Sequence, residues 1–420
     1  PKGFWKNVYE PLIRRTAGLG KPPKEFKSKS IHQHHNVDVI IVGGGLSGLL
    51  AARKFAGTNY DVLLVEREDA LGGVLKNANK IKYIKDQPAE EWLEKTERLI
   101  RNSNNIKILK NTLVTTYNFS DHLIALEDKN VGKPQDNEKP ELVLHKIRTK
   151  HTILANGHSE RFITFRNNDL PGVMLAASFE KYLNRYGVVP DESPVIFTNN
   201  SSTFSLLKSL TDLGHKPKAY VDIRDQKNIE KETLELLEKF SIPFYPKSEI
   251  EGCDGKKEVK KVSIRTKKNQ ITKIKTSMLC VSGGFNPDIH LFTQSKGLLK
   301  WDKDHLTFKP DRIFQKTITL GSVSGNFSYE KLLVEVEKKL SEFEGLNELE
   351  VKFELNGPEK FQIKELWETK HEKKSLWSKS FIDLQNDVTT KDLRQAVNEG
   401  FKRIEHLKRF TTNSMGTDQG

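Results

Sequence analysis

The stretch VIIVGGGLSGLLAARKF, residues 39–55, decides the fold, because it places a glycine-rich turn between a strand-like run and a helix-like run. Its glycines follow the GxGxxG spacing. The first glycine permits a tight turn, the second lets the backbone approach a pyrophosphate, and the third lets the helix lie close to the sheet. The helix N-terminus then attracts the negative phosphates. The candidate binding residues of this turn are Gly43, Gly44, Gly45, Leu46, Ser47 and Gly48.

A second strand-like run, YDVLLVE at residues 60–66, completes a strand–turn–helix–strand unit. Such a unit implies a parallel sheet, because parallel neighbours need a crossover connection. Glu66 ends the second strand eighteen residues after Gly48. A carboxylate at that place accepts a hydrogen bond from a ribose hydroxyl and repels a 2′-phosphate. The unit therefore predicts bound NAD or FAD and argues against NADP.

Further glycines and a later strand extend the predicted site. Gly72 and Gly73 closely follow Glu66, a feature more usual in flavoprotein-type nucleotide domains than in simple dehydrogenases. The run ILANG at residues 153–157 is expected to return as a strand beneath the same nucleotide. The additional candidate binding residues are Arg67, Gly73, Ala155 and Gly157.

A second strand–turn–helix–strand unit spans residues 193–225. Its turn reads TNNSST, so residues 199–202 replace the glycines, and their side chains would crowd a pyrophosphate. Asp222 stands where the ribose-binding acid of this unit would lie. We interpret the unit as a nucleotide-binding fold with an altered phosphate loop, and a second occupied cofactor site is the alternative.

The composition restricts the class of protein. No apolar run approaches the roughly 18 residues of a membrane span, so we expect no membrane association, and we expect no signal peptide. The two cysteines favour a reducing, cytoplasmic setting. The net charge of +13 invites a nucleic-acid interpretation. The lysines of residues 255–275 alternate with Val and Ile, however, which favours an edge hairpin with a solvated basic face. We therefore expect no nucleic-acid partner, and this face could instead dock an acidic protein.

The sequence predicts neither a catalytic residue nor a metal site in this chain. His32, His34 and His35 lack the cysteines or spaced acids that would complete a metal site, and we expect them in a solvated lead-in. Cys280 lies in an apolar run and is expected in the core rather than as a nucleophile. Ser47 does not stand in a GxSxG nucleophile turn.

The fold class predicted is α/β, with two Rossmann-like nucleotide-binding domains of the FAD/NAD(P)-linked reductase type and a small helical C-terminal domain. Residues 389–410 place apolar side chains on one helical face, and Thr389 and Asp392 have capping-box spacing. The predicted domains are a lead-in at 1–35, a first dinucleotide-binding domain at 36–165 completed by about 280–345, an inserted second nucleotide-binding-like domain at 166–279, and the small helical domain at 346–420.

Three stretches carry a resemblance to a known family. They are ILANGHSERFITFRNNDLPGVMLAASFEKYLNRYGVVP at 153–190, CVSGGFNPDIHLFTQSKGLLKWD at 280–302 and FIDLQNDVTTKDLRQAVNEGFKRIEHLKRFTTNSMGTDQG at 381–420. With YEPLIRRTAGLGKPP near the start, they extend a resemblance to the α subunit of heterotetrameric sarcosine oxidase over nearly the whole chain. The resemblance implies the middle of such a subunit, without its N-terminal ferredoxin-like and C-terminal folate-binding, aminomethyltransferase-like domains.

The resemblance also implies a division of labour among subunits. Sarcosine is oxidised to glycine at FAD on the β subunit, and electrons pass to FMN near the α/β interface and then to oxygen. The one-carbon unit reaches tetrahydrofolate in the α subunit's C-terminal domain or leaves as formaldehyde, and γ and δ subunits complete the assembly. The α subunit's own nucleotide is NAD. Carried to this sequence, Gly43, Gly45, Gly48 and Glu66 would hold that NAD, with FAD as the alternative.

Gly321 is the last candidate binding residue and marks a departure from related flavoproteins, which close the nucleotide site with Gly-Asp. Here Ser322 follows Gly321, so a carboxylate for a ribityl-type hydroxyl is lost, which favours NAD over FAD. Two other functions remain open. One is the α subunit of a related FAD-dependent dehydrogenase of proline, hydroxyproline or an opine. Those enzymes commonly bear an Fe–S site in the terminal helical domain, and the absence of any cysteine after Cys280 disfavours this alternative. The other is a noncatalytic assembly module.

Overall fold

The structure, a computed structural model, describes residues 2–16, 30–129, 131, 142–370 and 374–415. Within those ranges, no helix combines the length and the apolar composition needed to cross a membrane. The α-helices are Lys2–Phe4, Glu10–Thr16, Leu46–Phe55, Val74–Asn77, Ala89–Arg101, Ala176–Tyr186, Phe204–Asp212, Lys231–Lys239, His290–Gln294, Tyr329–Lys339, Thr390–Asn398 and Ile404–Thr411. Trp5–Tyr9 is π-helical, and Gln226–Asn228, Gly321–Ser324 and Lys374–Lys379 are 3₁₀-helical.

The first sheet carries the glycine-rich turn. In spatial order its strands are Ile106–Leu109, Val62–Val65, Ser30–Val42, Leu142–Leu154, His122–Asp128 and Thr112–Asn118, and Thr317–Thr319 also pairs with Leu142–Leu154. The first four strands run parallel, while the last two form antiparallel neighbours. The crossover helix Leu46–Phe55 buries Leu49 and Leu50 against one face. The predicted parallel strand–turn–helix–strand unit is confirmed.

The first strand is longer than its apolar run indicated. Residues 30–37 pair in register with residues 142–149 of the long neighbouring strand. Because that pairing satisfies their backbone, His32, His34 and His35 lie within a strand rather than in irregular chain, and the side chains of His32 and His34 are exposed to solvent as expected.

The second sheet is wholly parallel. In spatial order its strands are Val173–Leu175, Leu279–Ser282, Val195–Thr198, Ala219–Asp222 and Phe244–Pro246. The helix Phe204–Asp212 connects two of them, so the second predicted unit is present. Cys280 lies in the second of these strands and is fully buried, which confirms the expectation of a core cysteine.

A small antiparallel sheet follows in the order Glu249–Asp254, Lys261–Arg265 and Ile271–Lys275. Its edge strand exposes the side chains of Lys273 and Lys275. Charged side chains on an edge strand oppose pairing with another chain. The predicted edge hairpin with a basic face is therefore confirmed.

Short strands tie the C-terminal part of the chain to itself and to the first unit. Phe353–Leu355 pairs with Ile81–Ile84, which in turn pairs with Gln87–Pro88, and Phe381–Asp383 pairs with Val388–Thr389. Leu298–Asp302 pairs with Thr307–Arg312, and His158–Glu160 with Phe285–Pro287. The predicted domain boundaries stay a prediction.

The helix predicted over residues 389–410 is two helices. Gly400 has φ of +94° and separates Thr390–Asn398 from Ile404–Thr411, because glycine readily leaves the helical conformation. The capping box of Thr389 and Asp392 is confirmed.

A buried ionic cluster lies at the end of the strand Ala219–Asp222 in the second sheet. Arg224 donates to Asp222 at 2.8 Å and to Glu230 at 2.9 Å. The three side chains are 3%, 0% and 7% exposed, respectively. Asp222, the acid expected at a second ribose site, is thus already paired with Arg224.

We expect Arg224→Ala to destabilise the protein by about 3–5 kcal/mol, because it leaves the carboxylate of Asp222 buried without its cation. Urea denaturation at neutral pH measures the loss. Lys231→Ala, which removes an exposed partner of Glu235, is the control and should cost under about 1 kcal/mol. Equal losses for the two variants would contradict the burial argument.

Candidate dinucleotide-binding site

The glycine-rich turn lies where the parallel strands of the first sheet end. The N–H of Gly43 donates to Val65 O at 2.8 Å, and the N–H of Ala155 donates to Val42 O at 2.8 Å. A methyl group on Gly43 would overlap the carbonyl of Ala155, and one on Gly48 would overlap the carbonyl of Gly43. Both glycines therefore let the helix and the strands approach one another closely.

Gly45 has a different surrounding. It is the N-cap of the helix Leu46–Phe55 and has extended backbone. A methyl group on Gly45 would meet no protein atom nearer than Gly73 Cα at 3.9 Å. The space beside Gly45 is open because it faces a cavity, whereas the space beside Gly48 is filled by the protein.

Glu66 is held in place by backbone donors. Its Oε2 accepts from the N–H of Gly44 at 2.6 Å, and its Oε1 accepts from the N–H of Glu68 at 2.8 Å. The side chain is 8% exposed and borders the cavity. Each carboxylate oxygen has more than one acceptor position, so Glu66 can still accept from a ligand hydroxyl.

The cavity has a volume of about 820 Å³, within the range of small-molecule and cofactor sites. Most of the predicted binding residues line it, namely Gly43, Gly45, Leu46, Ser47, Glu66, Arg67, Gly73, Ala155, Gly157 and Gly321. Gly44 and Gly48 are not in its wall. The N–H of Gly44 holds the carboxylate of Glu66, and Gly48 lets the helix pack closely against the turn. The structure thus brings together residues that are up to 278 positions apart, from Gly43 to Gly321.

Two side-chain oxygens in the cavity wall have no partner among the described residues. They are Oδ1 of Asn77 and Oδ1 of Asn156, both buried. Buried polar atoms in native proteins are normally hydrogen-bonded, to protein, water or ligand. Together with the open space at Gly45, these atoms show that the cavity fits a polar ligand.

The turn around Gly321 depends on a residue that the sequence analysis missed. Glu335 accepts from the N–H of Gly321 at 3.1 Å and from Asn326 Nδ2 at 2.9 Å, and the Ser324 hydroxyl also donates to it. Lys339 Nζ lies 2.6 Å from its Oε1. Glu335 lies 14 residues after Gly321, within the helix Tyr329–Lys339. In the sequence, only its position on the helix face that packs toward this turn could have indicated its role.

The altered phosphate loop of the second unit is covered by the chain itself, through a segment at residues 356–364 that we call the strap. The N–H of Ser201 donates to Gln362 O at 3.0 Å, and the N–H of Lys364 donates to Asn199 O at 2.9 Å. Asn199 Nδ2 donates back to Lys364 O at 2.9 Å. Backbone groups that would bind phosphate in this loop are therefore already engaged.

The strap also closes one side of the cavity. Its Glu359 accepts from the Ser328 hydroxyl at 2.7 Å and from the N–H of Glu330 at 3.0 Å, at the start of the helix Tyr329–Lys339. Its Asn356 N–H donates to Lys80 O at 2.9 Å. The strap therefore bridges the first and second units, and Ser201 and Ser202 of the covered loop border the same cavity.

The cavity wall also contains a group of titratable and aromatic side chains that we call the inner compartment. Its residues are Lys80, His158, Glu160, Glu180, Phe285, Phe327, Tyr329 and Phe361. Glu160 Oε2 accepts from the N–H of Ala177 at 2.7 Å, and Glu180 accepts from the Ser205 hydroxyl. Burial raises the pKa of Glu160 to about 7 and raises that of Glu180, and it lowers the pKa of His158 to about 3. The sequence analysis named none of these residues, which are scattered and carry no motif.

The histidine cluster does not gather metal ligands. His35 Nε2 lies 2.9 Å from His145 Nδ1, and His145 Nε2 lies 3.1 Å from Glu127. Across the described part of the chain, no group of three or more His, Cys, Asp or Glu side chains could hold a metal ion.

Comparisons with known proteins agree with this architecture. Residues 41–91 match the NAD(P)-binding Rossmann-like domain, and residues 377–420 match the sarcosine oxidase A3 domain. The L-proline dehydrogenase of P. horikoshii superposes with a TM-score of 0.62 at 20% identity, covering 94% of this chain and 72% of that one. The thioredoxin reductase of T. acidophilum gives 0.54 at 16% identity, covering 73% and 95%. The fold is thus that of the two-unit, FAD/NAD(P)-linked reductases.

Sequence relatives are more specific than the fold. The sarcosine oxidase subunit alpha of Rhizobium meliloti (strain 1021) is 30% identical over 100% of this chain, and that of Corynebacterium sp. (strain U-96) is 28% identical over 96%. The chain spans 42% and 43% of the lengths of these relatives. The protein is a homologue of sarcosine oxidase alpha subunits and corresponds to a part of them.

Two alanine variants separate the roles of the turn glycines. Gly45→Ala should weaken dinucleotide binding at least about tenfold with little change in the midpoint of thermal unfolding, because its methyl group enters the cavity. Gly48→Ala should lower stability by about 1–3 kcal/mol or more, because its methyl group meets backbone. Calorimetric titration and thermal unfolding measure the two effects. Unimpaired binding by Gly45→Ala would contradict the assignment of the cavity.

Proposed function

We propose that this chain binds NAD in the cavity and forms part of the alpha subunit of a multisubunit sarcosine oxidase. The observation that carries the proposal is the similarity to sarcosine oxidase alpha subunits along the whole chain, combined with an intact glycine turn and Glu66. The residues proposed to hold the dinucleotide are Gly43, Gly44, Gly45, Leu46, Ser47, Gly48, Glu66, Arg67, Gly73, Ala155, Gly157 and Gly321.

The choice of NAD over NADP rests on Glu66. Its carboxylate, fixed by Gly44 and Glu68, would accept from ribose hydroxyls and would repel a 2′-phosphate. The choice of NAD over FAD rests on Ser322, which borders the cavity where related flavoproteins place an acid. The carboxylate of Glu335 lies near this turn but is occupied by Gly321, Ser324 and Asn326.

The reaction proposed for the assembled enzyme is the oxidative demethylation of sarcosine to glycine. In this proposal the substrate is oxidised at FAD on a beta subunit, FMN lies near the alpha/beta interface, and gamma and delta subunits complete the complex. Tetrahydrofolate would take up the one-carbon unit in a further domain of the alpha subunit, and without it the carbon would leave as formaldehyde. The described residues of this chain would bind and orient NAD and would contribute no catalytic group.

The nucleotide that the protein carries tests the proposal directly. We expect the purified chain to be colourless and to release NAD on denaturation, identified by mass, with one NAD per chain because the second loop is covered by the strap. A yellow protein that releases FAD would overturn the NAD assignment and favour a dehydrogenase of the proline, hydroxyproline or opine type. Retention of two nucleotides per chain would contradict the closure of the second loop.

Glu66→Gln should weaken NAD binding about tenfold, since hydrogen bonds to a charged acceptor contribute roughly 1.5–3 kcal/mol and the amide keeps only part of that. The ratio of NADP to NAD affinity should rise in the same variant, because the negative charge is gone. Calorimetric titration with both nucleotides measures the change. Glu90→Gln, at an exposed position in the first turn of Ala89–Arg101, is the matched control and should bind like the unmodified protein. An unchanged NADP-to-NAD ratio would remove Glu66 from the ribose site.

A further inference from the structure

The outer strand of the small antiparallel sheet, Ile271–Lys275, lies in the most basic part of the chain. Residues 255–275 contain nine lysine or arginine residues and one glutamate, which is a net charge of +8 out of +13 for the whole chain. Within the described residues, Lys273 and Lys275 of this strand form no ion pair. These two ammonium groups are therefore free to meet an acidic partner.

The two faces of this strand have different surroundings. Its side chains alternate in exposure, with Ile271, Lys273 and Lys275 exposed and Thr272 and Ile274 half-buried. Ile274 packs against the core cluster that the small sheet shares with the second sheet. Because successive side chains of a strand point to opposite faces, the two lysines and Ile271 share the face directed to solvent.

The strand also lies at an edge of its sheet. Within the described part of the chain it pairs with Lys261–Arg265 alone, in an antiparallel register that places Ser263 opposite Lys273. A strand at a sheet edge presents a row of backbone N–H and C=O groups that have no neighbouring strand. The edge can therefore form backbone hydrogen bonds with a further strand.

Two hydrogen bonds at the ends of the ladder show which residues present those backbone groups. The N–H of Thr266 donates to Gln270 O at 2.9 Å, and the N–H of Thr276 donates to Lys260 O at 3.2 Å. Hydrogen-bonded pairs alternate with non-hydrogen-bonded pairs along an antiparallel ladder, so the even-numbered residues of the edge strand bond inward. The backbone groups of residues 271, 273 and 275 therefore point outward.

The outward-pointing backbone and the positive charge thus belong to the same residues. On an added strand, the side chains opposite Ile271, Lys273 and Lys275 would lie on the same face, with Cβ atoms roughly 4.5–5.5 Å away. Opposite charges at such positions stabilise the pairing, and like charges destabilise it. An antiparallel segment complements the edge when it has acidic residues at two alternate positions and an apolar residue at the next alternate position.

We propose that the edge strand Ile271–Lys275 receives an extended acidic segment of another polypeptide as an additional β-strand. Backbone hydrogen bonds hold the segment, and Lys273 and Lys275 select its charge. The same lysines repel a second copy of this edge, so one feature both opposes self-association and favours an acidic strand. None of these residues lines the dinucleotide cavity, so the inference goes beyond the proposed function and does not depend on it.

Nucleic acid is the other polyanion that a basic surface can bind. Single-stranded nucleic acid is typically held by aromatic side chains on which bases stack, and base edges are read most often by arginine. Residues 255–275 contain no aromatic residue and a single arginine, Arg265, whose side chain is 10% exposed. An outward row of backbone groups matches a polypeptide strand, so the observations favour an acidic polypeptide.

A labelled peptide tests the proposal on the full chain. The peptide has seven residues, with glutamate at its second and fourth positions, valine at its sixth and threonine elsewhere. Fluorescence anisotropy measures its dissociation constant. A peptide of the same composition with adjacent glutamates should bind at least about threefold more weakly, because successive side chains cannot both face the lysines. Equal affinities of the two peptides would overturn the strand register.

Hydrogen–deuterium exchange locates the bound peptide. We expect three additional protected amides within residues 271–275 in the complex, because three of the five N–H groups point outward and gain a partner. Peptide binding without protection of this strand would overturn the proposal, and so would failure of the first peptide to bind.

Ile271→Pro separates strand addition from simple charge attraction. It removes one outward N–H and leaves every charge in place, and proline is tolerated on an edge strand where the N–H faces solvent. The affinity for the peptide should fall about fivefold, which corresponds to the loss of one hydrogen bond. Thermal unfolding checks that the variant is folded. Unchanged affinity in a folded variant would overturn the proposal.

Charge reversal tests the two lysines. Lys273→Glu combined with Lys275→Glu should weaken binding of the acidic peptide about tenfold or more, because each attraction becomes a repulsion. Lys256→Glu combined with Lys257→Glu makes the same change in total charge at two exposed lysines outside the strand. This control should alter the affinity less than about twofold at physiological salt, where charges are screened within about 8 Å. Equal losses in the two double variants would overturn the proposal.

A single strand of seven thymidines tests the alternative polyanion. We expect it to bind more weakly than the acidic peptide and to respond little to Ile271→Pro. If it binds as tightly as the peptide and Ile271→Pro leaves both affinities unchanged, the surface is a general polyanion site and the proposal is overturned. These results leave the NAD proposal untouched, since the released nucleotide tests that separately.

Discussion

The close contact between the glycine turn and the ends of the parallel strands is the constraint on which the rest of the structure depends. A side chain at Gly43 or Gly48 would occupy the space that neighbouring backbone already fills. With that contact made, the helix Leu46–Phe55 points its N-terminus at the cavity, and the Gly44 N–H can reach the carboxylate of Glu66. The position of the ribose-binding acid is thus a consequence of backbone packing.

The two nucleotide-binding units have similar topology but differ at the turn after the first strand of each unit. In the first, small residues leave the cavity open beside Gly45. In the second, Asn199 and Ser201 turn toward the strap, and Asp222 turns toward Arg224. Asn199, Ser201 and Asp222 have thus found partners within the chain. The polar residues that stand in place of the glycines are the ones that form these internal hydrogen bonds.

The sequence was informative where the physics is local. The GxGxxG spacing, the capping box at Thr389 and the alternation of the edge hairpin each predicted what the structure contains, because turns, caps and strand faces depend on near neighbours. The strap, Glu335 and the inner compartment escaped prediction, since their partners are distant in sequence and their residue types are ordinary. The break at Gly400 was not predicted, because the apolar pattern continues past this residue. The helix itself stops there, since Gly400 has a positive φ.

The strap also bears on the order in which the chain can fold. Residues 356–364 lie well beyond the strands and helices of the second unit, which end at Ser282, so the loop at residues 199–201 is finished by a segment made much later. Contacts of such long sequence separation form late and slowly. During synthesis the second unit therefore passes through a period with an uncovered polar loop, and its completion is coupled to the emergence of the C-terminal third of the chain.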